Sequence, residues 1–253
     1  MNFKNILLAS ALSLGMVASA QAVIINVGGV IWNTDQTTNN PFPSLEDFNM
    51  RGSIIEDVVT TPGDLLTGFG EVLNINSQDP NKLLFCPGCE LTFTFSAELV
   101  SFTTSVGTVG TIGNVGDFVF KDLVIEFFVQ TDGTYVGTSD SADDGALWLK
   151  LESDTLSGFG ATDLGTGADK GSGLALLNVT GGDAMTNFDT NLEPGGFDMV
   201  LDSSFQGIGE QDILGGNFQI TGNSIAVPEP SSLALLGLGM LGLGFGARRK
   251  NVK

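Results

Sequence analysis

Two cysteines, a loop of aspartates and a large surplus of acids are the groups in this chain with chemistry to offer. Cys86 and Cys89 bracket Pro-Gly in the stretch FCPGCE. Proline presets φ at the second position of a turn and glycine accepts a positive φ at the third, so a type II turn is predicted. Leu83-Leu84-Phe85 precedes the turn and the alternating stretch ELTFTFS follows it, which reads as a hairpin whose bend the cysteines flank. A redox-active pair at this spacing sets its attacking sulfur at a helix N-terminus, whereas a strand pattern follows here. Two cysteines without histidine complete no four-ligand zinc site unless carboxylates or a second chain help. A disulfide between Cys86 and Cys89 is the expectation in an oxidising compartment, with a redox or metal site as the alternative.

The stretch TDGTYVGTSDSADDGA supplies Asp132, Asp140, Asp143 and Asp144, oxygen ligands of the kind calcium takes from a single loop. The EF-hand spacing fails: counted from Asp140, the third position is Ala142 and the twelfth Leu151. A non-EF calcium loop and a set of solvated turn acids are the two readings, and calcium is the one cofactor under consideration.

Histidine is absent and acids outnumber bases 29 to 10, for a net charge of -19. The usual general base of hydrolytic triads is therefore missing. Between the chain's two ends only Arg51, Lys82, Lys121, Lys150 and Lys170 are basic. Phosphate contacts rest on Lys and Arg, so nucleic acid is excluded as a partner. Cations and neutral polymers such as exopolysaccharide stay compatible. Acids this numerous can be paired on paper at will, so a carboxylate dyad for glycan hydrolysis is an alternative that composition does not decide.

The elements that would position these groups are short strands. In ELTFTFS, Leu91, Phe93 and Phe95 face one way and Thr92, Thr94 and Ser96 the other. LWLKLES puts Leu147, Leu149 and Leu151 inward, and FDMVLDS puts Phe197, Met199 and Leu201 inward with Asp198 and Asp202 in water. Leu123 to Val129 is a more fully apolar run, the pattern of a central strand covered on both faces, and Asp132-Gly133 signals a hairpin to Thr134–Val136. Ser44 could cap a short helix in PSLEDFNM, and DAMTNF could hold one helical turn. Glycine, 35 residues in all, mostly separates these runs. Many short strands with glycine turns predict an all-β domain, a β-sandwich or jelly-roll-like architecture, over residues 23–225.

Both ends are of another kind. Lys4, the apolar run Ile6–Val17 and the small-residue site Ala20-Gln21-Ala22 make residues 1–22 a signal peptide with Val23 as the mature start. Ser231 to Ala247 carries no charge and would span roughly 26 Å as a helix, enough for a short transmembrane helix. Arg248, Arg249 and Lys250 follow at once and would stay cytoplasmic, leaving the body outside.

Pro228-Glu229-Pro230, the hydrophobic stretch and Arg248-Arg249-Lys250 closely resemble the PEP-CTERM sorting signal, placed here over residues 226–250. The resemblance implies an exosortase as processing partner, transient anchoring in the inner membrane, cleavage near Pro228-Glu229-Pro230, and transfer to the cell surface or biofilm matrix. VTGGDAMTNFDTN (residues 179–191) and CPGCELTFTF also resemble segments of proteins bearing this tail, without an implied activity. The reading is an exported, non-enzymatic structural or binding protein. The alternatives are a secreted carboxylate-dependent glycan hydrolase and a surface adhesin or ice-binding protein, although no regular threonine repeat supports ice binding.

Overall fold

The computed structural model describes residues 24–34, 47–59, 61–76, 82–105, 114–131, 133–162, 170–208 and 213–227. A hairpin of β1 (Ile24–Val27) and β2 (Val30–Asn33) stands apart from one large antiparallel sheet. That sheet contains β3 (Phe48–Asp57), β4 (Leu65–Ile75), β5 (Glu90–Ser105), β6 (Asn114–Gln130), β7 (Ala146–Ser153), β8 (Leu156–Thr162), β9 (Lys170–Gly181), β10 (Met199–Gly207) and β11 (Ile213–Gly222). Two single-turn helices, α1 (Lys82–Phe85) and α2 (Met185–Phe188), complete the described elements with a 3₁₀ turn at Ser139–Ser141.

From β3 to β7 and again from β8 to β11 each strand pairs with the next in sequence, and β11 returns to pair with β3. β7 and β8 run one after the other along β6, with Leu123 opposite Ser153 and Phe120 opposite Leu156. Both also pair with β9, so they fill one position of the ring, broken at Asp154-Thr155. The result is a closed, eight-position, up-and-down β-barrel. It is neither the sandwich nor the jelly roll that strand alternation suggested. Alternation reports which face is apolar; closure depends on register, and only the β11–β3 pairing reveals it.

The barrel interior is the core. β6 sends Leu123, Ile125, Phe127 and Val129 inward, while Val124, Glu126 and Phe128 face out and are half-buried. No second layer covers that run, contrary to its two-sided apolar pattern. Outside, Thr94, Glu126 and Lys150 lie side by side across three strands, and Lys150 bridges both Glu126 and Glu152. Apolar inside and charged outside is the reverse of a transmembrane barrel.

Five inward glycines sit directly across the ladder from a phenylalanine. The pairs are Gly52 with Phe218, Gly68 with Phe95, Gly70 with Phe93, Gly158 with Phe118, and Gly171 with Phe205. In each the ring occupies the space a side chain on the glycine would need; a Cβ at Gly70 would meet the Phe93 ring at 2.7 Å. An aromatic ring lying over a strand glycine shields its backbone and lets the sheet curve tightly. Phe93, Phe127 and Phe218 meet in the middle, with ring centroids 4.7–6.3 Å apart.

Three local expectations are also corrected. Phe48–Met50 open a strand, where a helix from Ser44 would have continued. The partner of the Leu123–Val129 run is β7, because residues 133–136 form no strand and Asp132 lies outside the described residues. Leu83–Phe85 belong to α1, so the cysteines follow a helical turn and do not bridge a hairpin. The helical turn expected within residues 183–188 is present as α2. The membrane helix expected over 231–247 lies outside the described residues, among which no helix is long and apolar enough to cross a bilayer.

Glycine–phenylalanine pairing makes unequal demands on neighbouring glycines. Gly70→Ala drives a methyl into the Phe93 ring and the Ser53 carbonyl, and should cost about 1–3 kcal/mol by overpacking. Gly160→Ala meets the Lys170 carbonyl at 3.4 Å and the Phe118 ring at 3.5 Å, and should stay within about 1 kcal/mol of the parent. Urea unfolding of the two variants measures the gap; equal losses would contradict the packing described.

Candidate functional site

The strand directions give the barrel two unlike ends. At one end lie Phe48, Ile75, Glu90, Gln130, Ala146, Gly181, Met199 and Gly222; at the other lie Asp57, Leu65, Gly207 and Ile213.

The first end is plugged. Trp32 of β2 stacks on Phe188 of α2 at 5.0 Å and meets Phe48 and Trp148 edge-on. Trp148 points inward because the β6–β7 register slips between Phe127 and Phe128, which takes it out of the alternation of LWLKLES: Leu149 and Leu151 are buried but Leu147 only half-buried. Its indole donates to the Val27 carbonyl, and the Trp32 indole donates to the Ser224 hydroxyl. Polar contacts clasp the plug. Asn187 donates to the Ile225 carbonyl and its own carbonyl accepts from the Ile225 N–H; Asp47 accepts from both the N–H and the hydroxyl of Ser224.

Asp198, expected in water, is 2% exposed. Its carboxylate accepts backbone N–H groups from Val179, Thr190 and Asn191 at 2.6–2.8 Å. It therefore fixes the connection around α2 and is occupied structurally. Of the two stretches that look shared with other tail-bearing proteins, VTGGDAMTNFDTN belongs to this clasp, whereas CPGCELTFTF forms the disulfide turn and the start of β5. Gly182 adopts a φ of +92°, with the Trp148 carbonyl too close for any side chain.

The cysteines form a disulfide, Cys86–Cys89, at a turn with Gly88 at φ +79° and the Cys89 N–H donating to the Cys86 carbonyl. Cys89 Sγ lies 3.7 Å from the Gly29 carbonyl, so the bridge sits beside the β1–β2 hairpin.

The aspartate loop does not converge. Asp140, Asp143 and Asp144 are exposed, and Asp144 accepts the Thr134 hydroxyl. Among the described residues no group of three or more His, Cys, Asp or Glu is placed to hold a metal ion. Asp132 lies outside the described residues, as do Pro228, Glu229, Pro230, Arg248, Arg249 and Lys250 of the sorting motif and residues 1–22, where a signal peptide is expected.

The second end holds what the sequence reading missed. A cavity of about 70 Å³ lies inside it, walled by Phe102, Phe118, Phe120 and Phe205 with Leu66 and Leu214. A smaller void of about 30 Å³ lies deeper, between Phe93, Phe127 and Phe218; Glu56, Leu156 and Ser203 line both. Glu56 follows Gly52 and Ile54 on the inward face of β3 and is 8% exposed. Among the described residues no hydrogen bond or ion pair reaches its carboxyl group and no basic side chain lines the cavity. Burial, and then the Asp57 carboxylate beside it, push the Glu56 carboxyl from 4.5 up to about 7. Asp57 itself accepts the Thr67 hydroxyl at 2.6 Å. The signal was present in GSIIED: a period-two reading puts an acid on the apolar face of an otherwise regular strand.

Comparison with known proteins bears on the tail. A family model, the PEP-CTERM protein-sorting motif, matches residues 226–250, and the chain carries that motif. No curated protein matches the chain. Among solved structures, the crystal structure of Ail, the attachment invasion locus protein of Yersinia pestis, aligns with 70% of this chain and 93% of its own at 8% identity. Its TM-score is 0.14, too low to argue from.

Glu56 predicts a pH dependence with a definite sign. Between pH 4.5 and about 7 the unfolded chain releases a proton that the folded barrel keeps. The stability associated with a neutral Glu56 is therefore complete below 4.5 and lost as pH rises through 7. The span is worth about 3 kcal/mol. In urea unfolding from pH 4 to 8, Glu56→Gln should gain on the parent across that window and level off above it. A difference independent of pH would contradict the buried carboxyl.

Proposed function

We propose that this protein is an exported, non-catalytic barrel, delivered to the cell surface or exopolysaccharide matrix when an exosortase processes its tail. The carrying observation is the PEP-CTERM protein-sorting motif at residues 226–250, which begins where the chain leaves the barrel.

The exit geometry supports processing without damage to the body. Ser224 and Ile225 are the last anchored residues, held by Asp47, Trp32 and Asn187 at the plugged end. The proposed cut near Pro228-Glu229-Pro230 falls beyond these contacts, so the barrel keeps its clasp. A charged exterior with an apolar interior suits a body that works in water after release.

Within the Glu56 cavity the two acids do not face each other, which favours binding or structural duty over hydrolysis there. A carboxylate glycosidase sets two acids on opposite sides of a bound sugar, roughly 5–10 Å apart. Glu56 and Asp57 are consecutive on one strand, and none of the other residues lining the cavity is acidic.

Intact-mass analysis of the surface-released protein, from cells with and without the cognate exosortase, tests the reading. The expected product begins near Val23 and ends near Pro228-Glu229-Pro230 only when the exosortase is present. Deleting residues 228–253 should abolish surface delivery while leaving the melting temperature within about 2 °C, since the clasp on Ser224 and Ile225 is retained. An identical product from both strains would overturn the proposal.

A further inference from the structure

We propose that the Asp57-end cavity is a binding site for a small hydrophobic ammonium ion, held by its charge on Glu56 and by its hydrocarbon part among the phenylalanines. The inference rests on the non-catalytic reading of the barrel and adds the chemical class of ligand.

The argument starts from an imbalance. A carboxyl group more than nine-tenths buried normally has donors around it. Glu56 has none among the described residues, and faces a void. Nothing in the fold requires an acid there, because Gly52 and Ile54 on the same face are apolar and Leu214 and Gly68 are its cross-strand partners. A ligand that brings donors and positive charge would supply the missing partner of the ionised carboxylate.

The walls narrow the choice. Phe102, Phe118, Phe120 and Phe205 offer apolar area, and aromatic faces also attract cations. Carboxylate and phosphate ligands would meet Glu56 and Asp57 with no lining base to offset them. A sugar ring would bury hydroxyls against phenylalanine without partners. The volume sets the size: about 70 Å³, with about 30 Å³ more beyond Glu56, suits an ammonium group with a short alkyl chain. The raised Glu56 carboxyl follows from the same imbalance, since a bound ammonium would restore the ionised form.

Ser203 gives an independent handle. It lines both voids, and its hydroxyl makes only a long contact of 3.4 Å to the Gly173 carbonyl. Ser203→Leu fills the cavity while leaving Glu56 in place.

The test is an NMR titration of the purified full chain at pH 8 with n-butylammonium chloride, and with n-butanol and sodium butyrate as uncharged and anionic comparators. The expected result is saturable binding of one n-butylammonium per barrel, about tenfold weaker or undetectable binding of n-butanol, and none of butyrate. Glu56→Gln should weaken n-butylammonium about tenfold and remove its preference over n-butanol. Ser203→Leu should abolish binding by both. Non-saturable binding to the parent, equal affinity for n-butanol, or parental affinity in both variants would overturn the proposal. Should Glu56→Gln fail to fold, Ser203→Leu and the n-butanol comparison still decide it. None of these readouts involves the tail, so failure here leaves exosortase processing standing, and failed processing leaves this result intact.

Discussion

Closing eight strand positions into a ring leaves an interior of fixed and small width, and everything else in this fold answers to that width. Rings from neighbouring strands cannot all stand upright in it. Here the conflict is resolved across the ladder: where Phe93, Phe95, Phe118, Phe205 or Phe218 leans inward, its direct partner is a glycine. The bare backbone accepts the ring, and the strand can bend where it does so. Burying a phenylalanine is worth about 1.5–3 kcal/mol, so five such pairs supply much of the hydrophobic gain while also setting curvature. Glycine is thus a packing residue in this barrel as well as a turn residue.

The two ends follow from how the remaining volume is used. At the plugged end large rings come from outside the barrel: Trp32 from the β1–β2 hairpin and Phe188 from α2 reach Phe48 and Trp148. Elements so short do not hold themselves, and polar contacts fix them. The Asp198 carboxylate, Asn187 and Asp47 each satisfy backbone groups that would otherwise be stranded beside an apolar cluster. The acids in these positions act as connectors, whereas Glu126 and Glu152 on the outer wall pair with Lys150. A strongly acidic composition therefore conceals several distinct uses of a carboxylate.

Much of the strand content was legible, because β5 and β10 show period-two patterns in their residue types and β6 a long apolar run. The type II turn at Pro87-Gly88 and its disulfide were legible too, since proline and glycine constrain φ locally. Closure was not. Nothing in the residues of β3 and β11 separately states that Met50 will lie opposite Ile220. The inward Trp148 escaped for a related reason: a one-residue register slip moves it off its alternation, and a slip is a property of two strands together. Asp198 was misplaced because strand alternation was extended one residue beyond the start of β10, where the chain is already turning. Glu56 was readable but went unread, since attention to acids fell on clusters and a single acid on an apolar face makes no motif.

The void beside Glu56 is the place where the packing rule lapses. Gly52, Gly68 and Gly70 each lie under a ring, but Gly160 and Gly173 do not: the Phe118 ring stands 3.5 Å from a would-be Cβ at Gly160, and Gly173 faces Ser203 and Leu156. Two glycines and a serine lining one cavity leave space that a leucine would fill at a gain in stability. Into that space β3 directs a carboxyl group with no donor, which adds a second cost at neutral pH. Either feature alone could be an unremarkable imperfection of a natural core. Their coincidence, at the end of the barrel where the described residues form no aromatic plug, distinguishes this end from the other: one end is built for stability, and the other gives some of it up where a small cation could restore it.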